Sequence, residues 1–206
     1  MRTVDAAKLH SVCVYCGSRS GHDGRFEDAA TALGRALAGN TIRLVYGGGS
    51  IGLMGTAARA CLDAGGKVTG VIPRFLQERE VMLRRVEDLI VTEDMHERKR
   101  TMFEQSQAFV ALPGGIGTLE EVVEMITWAQ LGRHKKPVLL ADIGGFWGPL
   151  TELLDHMIAQ GFITDETMIR YLVTNDVAKI VPMLQAEFET LSMEALEGDD
   201  VALARL

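Results

Sequence analysis

Cysteine is scarce in this chain, with three among 206 residues, and Cys13, Cys16 and Cys61 are too few to read as a disulfide framework. Cys13 and Cys16 form a C-x-x-C inside the strand-like SVCVYC, where an offset of three sends the two side chains to opposite faces. No second ligand pair accompanies them, so they read as small core residues. The five histidines, His10, His22, His96, His134 and His156, are scattered without metal-ligand spacing. There is no G-x-S-x-G elbow and no Cys–His signature, which removes acyl transfer as well as metal-assisted hydrolysis. No apolar run is long enough to cross a bilayer and no signal-peptide pattern opens the chain, so a soluble cytoplasmic protein without a membrane partner is expected. No repeat, low-complexity tract or Pro/Gly/Ser linker divides it, and we expect one folded unit over residues 1–206.

Charge of one sign is thin in the second half. Residues 1–100 carry 15 Lys/Arg against 12 Asp/Glu, whereas residues 101–206 carry 6 against 16, for a formal charge of −7 overall. The first half suits an anionic small molecule, but nothing resembles a nucleic-acid tract. The acidic tail near 187–206 reads as solvated surface that frays or closes the chain as a terminal helix.

What the sequence does have is alternation. Strand candidates at Val12–Cys16, Ile42–Tyr46, Val68–Ile72, Leu89–Thr92, Ala108–Leu112, Val138–Ala141 and Leu172–Thr174 alternate with helix-period segments at Phe26–Ala38, Leu53–Ala64, His96–Gln105, Leu119–Leu131 and Gly148–Gln160. Several of the strands are apolar nearly throughout, which is what burial of both sheet faces demands. The pattern calls for an α/β fold, a mainly parallel sheet of about seven strands with helices on both faces.

Ligands of such sheets bind at the carboxyl ends of the strands, and two loops there are rich in glycine. GGGSIGLMG (Gly47–Gly55) follows the second strand, and PGGIGT (Pro113–Thr118) follows the fifth. Glycine lets a ligand approach backbone N–H groups closely, and the helix that follows presents unpaired donors and a partial positive charge, so both loops suit a phosphate. Gly47, Gly49 and Gly52 satisfy G-x-G-x-x-G, yet the motif follows the second strand and no acidic residue ends VTGVIPRF to grip a ribose, which argues against a dinucleotide site. Neither loop ends in G-K-[ST], so NTP hydrolysis is disfavoured.

Two charged segments flank these loops. If a helix begins near Thr118, Glu121 lies in its first turn, and T-L-E-E matches a capping box in which the carboxylate folds back on its own helix start. The same carboxylate is also placed to act on whatever the glycine loop holds. MHERKR (Met95–Arg100) follows the fourth strand, and its cations read either as a solvated face or as part of the site, since the segment emerges next to the strand feeding PGGIGT.

Together CGSRSG (Cys16–Gly21), YGGGSIGLMG (Tyr46–Gly55), GVIP (Gly70–Pro73), MHERK (Met95–Lys99) and PGGIGTLEE (Pro113–Glu121) resemble the Lonely Guy (LOG) family of cytokinin riboside 5′-monophosphate phosphoribohydrolases, often labelled "possible lysine decarboxylase". The resemblance implies a Rossmann-like, doubly wound homodimer that hydrolyses the N-glycosidic bond of a nucleoside 5′-monophosphate such as AMP or N6-prenyl-AMP, with no cofactor and no metal. It implies Arg98 and Glu121 as catalytic residues. It also implies Gly48, Gly49, Met95, Lys99, Gly114, Gly115, Ile116, Gly117 and Thr118 as residues around the substrate and its phosphate. The alternative of another class is a non-catalytic nucleotide or cofactor carrier on the same scaffold, which would use the glycine loops and have no need of Glu121.

Overall fold

The structure, a computed structural model, describes residues 8–77, 86, 88–164 and 169–203, with side chains described as far as residue 194. Residues 204–206, the end of the acidic tail, lie outside the described residues. Among the described residues the strands are β1 (Ser11–Tyr15), β2 (Arg43–Tyr46), β3 (Val68–Pro73), β4 (Asp88–Thr92), β5 (Ala108–Ala111), β6 (Val138–Ala141) and β7 (Leu172–Thr174). All pairings are parallel and the order is β4-β3-β2-β1-β5-β6-β7. The expected doubly wound α/β architecture is therefore present.

The connecting helices are α1 (Gly24–Gly39), α2 (Gly52–Asp63), the single turn α3 (Arg74–Gln77), α4 (Met95–Glu104), α5 (Ile116–Gln130), α6 (Gly148–Ala159) and α7 (Val177–Leu203). The alternation of strand side chains sorts them into two cores. Val12, Val14 and Cys16 pack with Ala30 and Leu33 of α1, Ala57 and Cys61 of α2 and Leu184 of α7 on one face. Cys13, Tyr15 and Phe109 pack with Met102 of α4, Met125 of α5 and Leu154 of α6 on the other. The C-x-x-C cysteines thus point to opposite faces as their spacing requires, and all three cysteines are free and buried. Burial pushes the Cys61 thiol up to about 11, so it is protonated at neutral pH.

The strand order reverses its direction of growth between β1 and β5, the place where a doubly wound sheet leaves a crevice at its carboxyl edge. The loops after β1 and β5 meet there: Gly17 N donates to Pro113 O at 3.0 Å. One expectation is corrected. MHERKR follows β4, and β4 is the sheet edge, separated from β5 by β3, β2 and β1. Its residues reach the crevice because α4 is the crossover that carries the chain back over the sheet to β5, not because the two strands are neighbours.

Candidate active site

A cleft of about 580 Å³ opens at this crevice. It is lined by Cys16–Gly21 after β1, Leu53 and Met54 of α2, Arg98 of α4, Pro113–Thr118 and Glu121 after β5, with Leu76, Phe26 and Phe146 at its rim. A larger hollow of about 690 Å³ lies beside the amino ends of β6 and β7, where Val138 and Leu172 begin their strands. It holds neither a glycine-rich loop nor the paired side chains described next, so the smaller cleft is the candidate site.

Arg98 and Glu121 meet in that cleft. Arg98 Nη1 donates to Glu121 Oε1 at 2.9 Å, with both side chains about nine-tenths buried. Arg98 Nε donates to Val71 O of β3 at 3.2 Å, fixing the guanidinium over the carboxyl end of the sheet. Burial raises the proton affinity of Glu121, and the Arg98 charge opposes that rise. A buried carboxylate facing a fixed guanidinium at a cleft wall is poised for proton or charge-stabilising work.

The capping-box expectation is overturned. Helix α5 starts at Ile116 with Gly115 as its N-cap, no side chain caps it, and Glu121 stands in its second turn, turned toward Arg98. Its first backbone bond is Leu119 N to Gly115 O, which leaves the N–H groups of Gly115–Thr118 without helical partners at the cleft. By contrast α1 and α4 are capped by Asp23 and Asp94 side chains. An aspartate cap contributes about 1 kcal/mol, and a glycine there keeps the donors open to an anion.

The two glycine loops differ. A Cβ added at Gly115 or Gly117 would meet nothing, whereas one at Gly47 would run into the Arg98 guanidinium, and one at Gly52, where φ is +59°, into the Ser18–Arg19 backbone. The loop after β2 is thus the bed on which Arg98 and the first loop rest. Gly48 and Gly49 are buried and, with Met95 and Lys99, are absent from the cleft lining. Of the residues expected at the site, Arg98, Gly114, Gly115, Ile116, Gly117, Thr118 and Glu121 are brought together. The MHERKR cations are not a uniformly solvated face: Arg98 is buried, and the Lys99 ammonium binds Glu120 Oε1 at 2.6 Å and Glu124 Oε1 at 2.9 Å. CGSRSG, which lines the cleft, carries no cleft assignment from the sequence alone. Its position after β1, the central strand at which the sheet order turns, was the available signal.

Trp147 donates Nε1–H to Ala111 O at 3.1 Å, and the neighbouring Phe146 lies edge-on to Phe26 with ring centroids 5.8 Å apart. Fold and site together define a Rossmann-like α/β protein with an uncapped helix start and an acid–guanidinium pair in one switch-point cleft.

A family model described as "Possible lysine decarboxylase" matches residues 54–184. The chain is similar to the cytokinin riboside 5′-monophosphate phosphoribohydrolase LOG of Oryza sativa subsp. japonica, 44% identical over 94% of this chain and 80% of that protein. It is also similar to the Arabidopsis thaliana enzyme of the same name designated LOG1, 48% identical over 77% of this chain and 74% of that protein. The chain belongs to this LOG family. Among solved structures it superposes on the molybdenum cofactor carrier protein of Chlamydomonas reinhardtii with a TM-score of 0.67, 24% identity and coverage of 89% and 99% of the two chains, a likeness of fold alone.

Proposed function

We infer that the protein is a hydrolase that cleaves the N-glycosidic bond of nucleoside 5′-monophosphates, AMP or N6-prenyl-AMP, releasing free base and ribose 5-phosphate. The observation that carries this reading is the buried Arg98–Glu121 pair one turn beyond the unpaired amides of Gly115–Thr118. The names of the relatives support it, since they describe the same reaction class.

The 5′-phosphate accepts the Gly115–Thr118 N–H groups, so binding energy at a remote group fixes the anomeric carbon beside Glu121. As the C1′–N bond breaks, its electron pair leaves with the base and positive charge develops on the ribosyl ring, where the Glu121 carboxylate stabilises it. Glu121 also orients the attacking water. The water oxygen bonds to C1′, and one of its protons ends on the departing base. Arg98 holds Glu121 in place and has guanidinium N–H groups left over for the ribose hydroxyls or the base.

The decarboxylase description implies pyridoxal phosphate held on a lysine. The residues do not fit that group: no lysine lines the cleft among the described residues, and Lys99 nearby is held by two carboxylates. We place the enzyme in the cytoplasm, supported by three free cysteines. A homodimer is supported by the exposed apolar side chains Val123 and Leu131 in and at the end of α5, and Leu153 and Ile158 on α6; light scattering on the purified protein tests it.

The test of activity is incubation with AMP, N6-prenyl-AMP, adenosine and ATP followed by chromatography for free base. Base release from the monophosphates is expected. Tight AMP binding with no base released would turn the reading to a nucleotide carrier.

A further inference from the structure

Resting on the proposed catalytic pairing of Arg98 with Glu121, we propose that Lys99 is a positioning residue: it pins α4 to α5 across a part-buried seam so that Arg98 meets Glu121. The consecutive residues Arg98 and Lys99 do separate jobs. Arg98 turns into the cleft, and Lys99 turns away from its lining to bridge Glu120 and Glu124 on successive turns of α5. These two carboxylates bracket Glu121, one residue before it and three after.

The seam is part-buried, its Glu120 arm 53% exposed and its Glu124 arm largely enclosed. The Lys99 side chain is 13% exposed and that of Glu124 is 21% exposed. Glu124 Oε2 is buried with no hydrogen-bond partner among the described residues, so the Lys99 bond to Oε1 compensates that carboxylate. Lysine places three donors around one point charge and here spends two on one helix. The need for such a pin follows from the topology: α4 enters from the sheet edge after β4, while α5 leaves the central region after β5. The Arg98–Glu121 contact therefore depends on how these two helices are set against each other, and an error of about 1 Å there is enough to cost about 10²-fold in rate.

Lys99 also biases Glu121 electrically. The groups acting on Glu121 are Arg98 and Lys99 from α4 and Glu120 from its own helix. Burial and Glu120 raise its proton affinity, and the two cations lower it. Glu121 in turn disfavours ionisation of Cys13 and Tyr15 on β1 and of Cys16 just after it.

The decisive variant is the double substitution Lys99→Gln with Glu124→Gln, which removes the pin without leaving a buried carboxylate unpaired. Steady-state kinetics with AMP, the pH profile of kcat and a crystal structure are measured, with Glu121→Gln assayed in parallel. We expect kcat to fall at least 10-fold with KM within about 3-fold, the acid limb to move to higher pH, and the Arg98–Glu121 separation to exceed 4 Å. Loss of the nearby cation and loosening of Arg98 move the acid limb in that same direction. An unchanged kcat with KM raised 10-fold, or an ion pair still closed in the crystal, overturns the proposal. Failure of the underlying assignment is seen separately, as full turnover by Glu121→Gln. If the double variant does not fold, Glu124→Gln alone is read by the same kcat, pH and structural criteria.

Discussion

The two glycine loops look alike on paper and do opposite things in the fold. Gly115 and Gly117 face open space, while Gly47 and Gly52 are filled against by Arg98 and by the Ser18–Arg19 backbone. A glycine is required in either case, in one so that a ligand can reach the amides and in the other so that protein can. Both loops lead into helices with no side-chain cap, so what separates them is packing: the packed loop supports the guanidinium that the open loop's helix answers with Glu121. Glycine content therefore marks close approach without saying of what.

Substitutions sharpen that contrast, and the largest expected effect lies at the acid. Glu121→Gln is nearly isosteric and keeps a partner for Arg98, so base release from AMP should fall at least about 10²–10³-fold with little change in thermal midpoint. Arg98→Ala should be comparably inactive and less stable, because it leaves Glu121 buried without its partner, at a cost of about 3–5 kcal/mol seen as a lowered midpoint. Adenosine should be turned over with kcat/KM at least about 10²-fold below AMP, since the phosphate contacts are charge-assisted and contribute about 1.5–3 kcal/mol each.

The loops themselves come next. Gly47→Ala should displace the Arg98 guanidinium and cost about 1–3 kcal/mol of stability together with about 10-fold in kcat. Gly117→Ala should leave the thermal midpoint unchanged and raise KM for AMP a few-fold. Equal effects from the two alanines would dissolve the distinction between a packed loop and an open one. The smallest effect concerns pH. In the proposed mechanism Glu121 works as a carboxylate, and burial raises its proton affinity, so the acid limb of the kcat profile should lie above the ordinary value of 4.5. A limb at or below that value would place Glu121 in a solvated setting that the fold does not give it.

Most of the fold was legible because burial on both faces writes nearly continuous apolar runs. The reading of Ala108–Leu112 falls within one residue of β5, and Val138–Ala141 coincides with β6. Of helix α7 only the part from residue 187 was read, as an acidic tail that frays or ends in a helix; its start went unassigned because Pro182 argues against a helix that in fact runs through it, held by core contacts of Ile180, Val181 and Leu184. At the site, Glu121 stood out by its place after the glycine loop and Arg98 through the family resemblance, but their 2.9 Å contact depends on a crossover from the sheet edge that no local pattern encodes. The T-x-x-E at Thr118 pointed to a cap because capping is the commoner use of that spacing, and the open start at Gly115 displaced it. Arg19, Phe26, Leu76 and Phe146 line the cleft from separate loops and elements and carry no shared sequence signal.

The central claim is that the open loop, and not the packed one, holds the phosphate of a nucleoside monophosphate with its anomeric carbon at Glu121. A crystal structure of the Glu121→Gln variant soaked with AMP tests this directly. The account predicts phosphate oxygens about 3 Å from the N–H groups of Gly115, Gly117 and Thr118, with C1′ facing residue 121. Phosphate seated on Gly47–Gly49, or a nucleotide with its glycosidic bond turned away from residue 121, would contradict it.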